Sequence, residues 1–100
     1  MSTLRSSHNS SSKESLLNLE YNKNLVQELK SKISKICKGG NKSAIKKHQE
    51  RGKLLVRDRI DLLIDPDTPF LELSTLAAID LYDNEVPSAG IVTGIGVVHG

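Results

Sequence analysis

The chain is 100 residues long, with 14 basic and 12 acidic side chains, a formal charge of +2 and one cysteine, Cys37. That length holds at most one small domain, and so small a net charge gives no electrostatic case for a nucleic-acid partner. A single cysteine excludes an intrachain disulfide and a cysteine-rich zinc site, and no apolar run approaches the ~20 residues of a membrane span. Aromatic residues make up only 3% of the chain, Phe70 being the sole phenylalanine, so any core built here is thin and aliphatic.

Residues 1–13, MSTLRSSHNSSSK, are serine-rich and contain no acid. The composition is mildly like an organelle presequence, but one arginine and no clear amphipathic face favour a disordered leader over residues 1–15. No apolar segment suited to a secretory signal follows. A helix is predicted over residues 16–38. Leu25, Leu29, Ile33 and Ile36 recur at three- and four-residue spacing. Gly39 and Gly40 then end it, since glycine enters the left-handed region without steric cost.

A second helix is predicted from about Ser43, capped by Asn41 or Ser43 and interrupted at Gly52. A third runs from about Lys53 to Ile64 and stops at Asp65-Pro66-Asp67-Thr68-Pro69, where proline removes an amide donor and restricts its predecessor. The period then changes from helix to strand. Phe70–Leu73 is a short strand candidate, residues 74–90 are loop-like, and Ile91–Val98 is the strongest strand. Gly94 and Gly96 share one face of that strand, which implies close approach by a neighbouring backbone or a bend. A strand needs a partner for its ladder, and the expectation is one following residue 100. Gly94-Ile95-Gly96 is not a dinucleotide fingerprint, because neither a third glycine nor a helix start follows.

The ordered blocks from about Lys38 to Gly100 carry a resemblance. They are Gly52-Lys53, Arg57-Asp58-Arg59-Ile60, Leu63-Ile64-Asp65-Pro66, then Phe70 and Glu72. They resemble the N-terminal part of the carboxyltransferase β subunits of biotin-dependent acyl-CoA carboxylases. Phe70–Ser74 and Gly90–Gly96 are more similar to the methylcrotonoyl branch than to the propionyl branch. Asn41 stands where the family often has a third glycine, and His99 lies in a turn that usually carries a basic residue earlier.

The resemblance implies an α+β fragment. N-terminal helices are followed by the first strands of a crotonase-like domain, a ββα superhelix, with residues 39–100 as its incomplete start. It implies transfer of a carboxylate from carboxybiotin to 3-methylcrotonyl-CoA, a step of leucine degradation. The acceptor is the thioester substrate. Biotin sits on a partner α subunit that alone uses ATP, and further β subunits complete the assembly. The glycine-bearing peptides that stabilise the enolate lie downstream in the family, so no catalytic residue is assigned here and this stretch alone is expected to be inactive.

Lys53 and Arg57 are the candidates for CoA phosphates, because cations beside phosphate give charge-assisted hydrogen bonds. Salt bridges or a solvated surface are the alternatives for both. His48 reads as a structural, hydrogen-bonded histidine and Cys37 as a half-buried structural one. Asp80, Asp83 and Glu85 read as a solvated loop, with no metal site.

Two other readings stay open: a propionyl-CoA or other acyl-CoA carboxylase β subunit, and a non-enzymatic remnant or basic binding module. No aromatics interleave with the basic residues, which argues against nucleic acid. The compartment implied is the bacterial cytoplasm, or the mitochondrial matrix in a eukaryote.

Overall fold

Ser12 starts the first helix. The Ser15 amide donates to its Oγ at 3.2 Å, and the Leu16 amide donates to its carbonyl at 3.0 Å, the arrangement of a helix N-cap. The computed structural model describes residues 2–100. Helix α1 spans Lys13–Cys37, with Glu14 in its first turn complementing the helix dipole. It therefore begins inside the stretch read from sequence as a leader, because Ser12 supplies a cap that composition alone does not reveal. At the other end the Lys38 and Gly39 amides turn back to Lys35 and Ile36. Gly39 takes φ +91°, the left-handed conformation that stops the helix.

The chain divides into two units, residues up to Ser31 and Lys32–Gly100. The first holds most of α1 and its serine cap. The second holds the last turns of α1 and all that follows.

Asn41 caps helix α2, Lys42–Glu50, by accepting from the Ala44 amide at 2.8 Å. Replacing a capping asparagine by alanine costs about 1 kcal/mol of helix stability. Asn41→Ala is therefore expected to move the backbone carbon shifts of residues 42–50 toward coil values, with α1 unaffected; unchanged shifts would refute the cap.

Helix α3 is Val56–Leu63, three residues shorter at its start than the sequence predicts. The cause is local. Gly52 has φ +72°, the Lys53 amide donates back to the His48 carbonyl at 3.3 Å, and the Leu54 carbonyl lies 2.7 Å from His48 Nε2. Residues 53 and 54 are thus tied to α2, and the helix can open only after Leu55.

Strand β1, Leu71–Leu73, pairs antiparallel with β2, Thr93–Ile95, in the register Leu71↔Ile95, Glu72↔Gly94, Leu73↔Thr93. The eight-residue strand predicted over 91–98 is cut to three. Among the described residues its partner is the earlier β1, itself only three residues long. Ser74, at φ +55°, turns β1 away at one end. At the other, Val97 leaves the ladder and its carbonyl accepts from the Asp65 amide at 2.8 Å. Between the strands, residues 74–90 wind through short turns that include two 3₁₀ segments, Tyr82–Asn84 and Pro87–Gly90.

The two faces of this ribbon differ. Glu72 and Gly94 occupy one face, and alternation places Phe70 and Gly96 there too. A side chain at 94 would meet the Phe70 ring and the Leu71 carbonyl, and one at 96 would meet Ile64 Cγ2 at 2.8 Å. The space predicted beside the glycines is therefore filled mainly by Phe70 and Ile64 side chains. Leu71, Leu73, Thr93 and Ile95 share the opposite face, where Leu71 and Ile95 are exposed. No apolar side chain among the described residues is buried; the one buried residue is Ser88. Cys37, expected to be half-buried, is exposed at the end of α1 because nothing packs over that last turn position.

Candidate functional site

The two residues nominated from sequence as phosphate contacts have different fates. Arg57, in the first turn of α3, is turned inward. Its guanidinium donates to Glu72 Oε1 at 2.5 Å and reaches Ser88 Oγ at 3.4 Å. Ser88 Oγ in turn donates to the Thr75 carbonyl at 3.1 Å. This chain of bonds ties α3 to β1 and both to the 74–90 segment. Arg57 Nε is buried without a partner among the described residues. Arg57 is thus engaged in a structural ion pair, the alternative left open for it from sequence.

Lys53 lies in the open. It lines a shallow depression of about 400 Å³ with His48, Leu54 and Arg59. Among the described residues neither Lys53 nor Arg59 makes an ion pair; the exposed pair on α2 is Lys46–Glu50 at 3.8 Å. His48 takes the structural role expected of it, its Nε2 against the Leu54 carbonyl. Since that oxygen is an acceptor, the bond requires the proton on Nε2. The histidine therefore holds the 53–54 backbone in place.

The Arg57–Glu72–Ser88 cluster escaped the sequence reading, although a signal was present. Glu72 stands between Leu71 and Leu73 in a strand otherwise apolar, and a charge placed there on a covered face needs a buried cation. What sequence could not supply was the choice among seven nearby cations.

Asp65 is the second polar node. The His99 amide donates to Oδ1 at 2.8 Å and the Gly100 amide to Oδ2 at 2.9 Å. The Gly100 amide first, then the His99 amide, hold this carboxyl below the usual carboxylate range, against a small opposing effect of desolvation. The ionised form is the one the fold favours. Its stabilisation is full above the unfolded carboxylate pKa and is lost as pH falls through the lowered folded value. On acidification from neutral pH, the His99 and Gly100 amide resonances are expected to titrate later than an ordinary carboxylate would dictate. Asp65→Asn should abolish that titration, and an ordinary midpoint in the parent chain would refute the contact. Among the described residues no three His, Cys, Asp or Glu side chains gather as metal ligands, and no helix is long and apolar enough to cross a membrane.

The carboxyl transferase domain family matches residues 47–100, the stretch that holds the α2–α3 turn, α3 and both strands. The chain belongs to that family. The methylcrotonoyl-CoA carboxylase beta chain of Arabidopsis thaliana, a mitochondrial protein, is 51% identical over 76 residues, 76% of this chain and 13% of the plant protein. The biotin-dependent 3-methylcrotonyl-coenzyme A carboxylase beta1 subunit of Mycobacterium tuberculosis is 55% identical over 76 residues, 76% of this chain and 14% of that one. Among solved structures, the beta subunit of geranyl-CoA carboxylase from P. aeruginosa matches 97% of this chain and 18% of its own, at 32% identity and a TM-score of 0.54. The carboxyltransferase resemblance read from the sequence therefore holds. The chain spans about an eighth to a seventh of the length of these curated relatives.

Proposed function

We propose that this chain is part of the carboxyltransferase β subunit of a methylcrotonoyl-CoA carboxylase. The observation that carries the reading is identity above one half to two such β chains, from a plant and a bacterium. In this reading carboxybiotin would supply the carboxylate and 3-methylcrotonyl-CoA would accept it at its γ carbon. Biotin arrives on a partner α subunit, where ATP is consumed, and other β subunits complete the site. The enolate oxygen requires preorganised amide donors. None is assigned among these residues, so on their own they are inactive. The compartment follows the host: mitochondrial matrix for a eukaryote, cytoplasm for a bacterium.

The fold supports a role as one part of a larger body. Without a single buried apolar side chain among the described residues, the β1–β2 ribbon and α1 offer faces that a complete crotonase-like domain would cover. Residues 39–100 then form the opening of that domain and α1 a preceding helical arm. Lys53 remains the open candidate for a CoA phosphate, while Arg57 serves the interior.

The test is a hybrid β subunit in which this chain replaces the matching stretch of the M. tuberculosis relative, co-expressed with its α subunit. Carboxylation of 3-methylcrotonyl-CoA by the hybrid, with none by the 100-residue chain alone, is the expected result. An assembled hybrid that fails to carboxylate overturns the reading.

A further inference from the structure

A cleft of about 290 Å³ lies within residues 32–100, between the last turns of α1 and the 77–87 loop. Its volume is at the lower end for small-molecule pockets, so it suits a compact metabolite. The floor is aliphatic: Ile36 from α1 and Ile79 and Val86 from the loop are each half-buried. No aromatic ring lines it. A branched aliphatic group of a few carbons therefore matches this floor better than a ring or a long chain.

The rim carries both signs of charge. Lys35 stands on the α1 side and Asp80 on the loop side. Among the described residues neither belongs to an ion pair, with the other or with any third group. Lys32, on the same rim, already has a partner. Two opposite charges that line one cleft without meeting leave room between them for a molecule that carries both. The loop side is held in place: Asn84 Oδ1 accepts from the Asp80 amide at 2.7 Å, and a side chain at Gly40 would meet the Glu85 carbonyl at 3.9 Å. With its oxygen engaged, Asn84 presents its amide nitrogen as a donor. A simple anion gains at Lys35 and loses at Asp80, and a simple cation does the reverse. A zwitterion gains at both.

We propose that this cleft binds a small aliphatic α-amino acid. Its carboxylate faces Lys35, its ammonium faces Asp80, and its side chain rests on Ile36, Ile79 and Val86. The site shares no residue with the Lys53 depression or the Arg57–Glu72 pair. It rests on this geometry alone and stands apart from the carboxyltransferase reading.

The experiment titrates the 100-residue chain with L-valine and three analogues, following amide resonances. Glycine keeps both charges without the side chain, 3-methylbutanoate lacks the ammonium, and 2-methylpropylamine lacks the carboxylate. Valine is expected to shift the amides of residues 36, 79, 80 and 84 and to bind about tenfold more tightly than any of the three. Lys35→Gln and Asp80→Asn should each weaken valine binding about tenfold, the effect of losing a charge-assisted bond. Both side chains are exposed, and asparagine tolerates the φ of +60° at position 80, so neither change threatens the fold. The Asp80→Asn chain should also bind 3-methylbutanoate as tightly as valine, a change of selectivity that a structural aspartate would not produce.

No saturable shift with valine, an equal response to glycine or to either singly charged analogue in the parent chain, or unaltered valine binding in either variant would each overturn the proposal. Any of these results would leave the carboxyltransferase reading intact.

Discussion

Gly94→Val is expected to lower the stability of the hybrid β subunit by about 3 kcal/mol, the upper part of the range for forcing atoms into a filled site. A Cβ at this position would fall on the Phe70 ring and 2.5 Å from the Leu71 carbonyl oxygen. The two obstacles differ in kind. The ring sits on a side chain and can swing. The carbonyl belongs to β1, and it cannot retreat without breaking the Glu72↔Gly94 register. Trimming the ring should therefore rescue only in part: Gly94→Ala with Phe70→Leu is expected to stay less stable than Phe70→Leu alone. Denaturant midpoints of the parent, Gly94→Val, Gly94→Ala, Phe70→Leu and the double variant decide the matter. A Gly94→Ala subunit as stable as its parent would show that the ribbon does not close as described.

The second large effect is expected at the Arg57–Glu72 pair. Removing one member of a buried pair strands the other charge and is strongly destabilising, while replacing both members is often close to neutral. Side-chain exposures of 23% and 17% place this pair between surface and interior. Solvent then screens part of the penalty, and Arg57→Met is expected to cost about 2 kcal/mol. The double variant Arg57→Met with Glu72→Leu should recover most of that loss, and a double-mutant cycle on thermal or denaturant midpoints measures the coupling. A coupling near zero would mean that the pair is a surface contact of little value. The same variants separate structure from binding: if Arg57 acts inside the fold, KM for the acyl-CoA stays unchanged in every stable member of the cycle.

These expectations also explain which parts of the site were legible in the sequence. Asn41, Gly39 and Gly52 announce helix boundaries because a cap or a left-handed residue acts within a few positions of itself. The proline-bounded stop after Leu63 is equally local. His48 was legible only as a structural histidine; its acceptor, the Leu54 carbonyl, lies six residues away and becomes near only once Gly52 reverses the chain. The start of α3 was misplaced for that same reason. Helical periodicity continues through Lys53 to Leu55, yet two hydrogen bonds to α2 hold residues 53 and 54 out of the helix.

By itself the sequence determined the order of three helices followed by strands, the stop at the Asp65–Pro69 segment, and membership of the carboxyl transferase family. All of these rest on local chemistry or on ordered blocks of residues. Tertiary structure alone decided which cation pairs with Glu72, how short β2 is, and that Asp65 collects the amides of residues 99 and 100. Each of these joins positions from 15 to 35 residues apart. The intrinsic preferences of Ile91–Val98 favour a long strand, but a ladder extends only as far as its partner, and β1 ends after three residues. Likewise seven basic residues between Lys42 and Arg59 look equivalent in sequence. Folding turns Arg57 inward to Glu72 and leaves Lys53 and Arg59 in solvent, because a half-buried carboxylate demands one partner and the helix geometry presents only one.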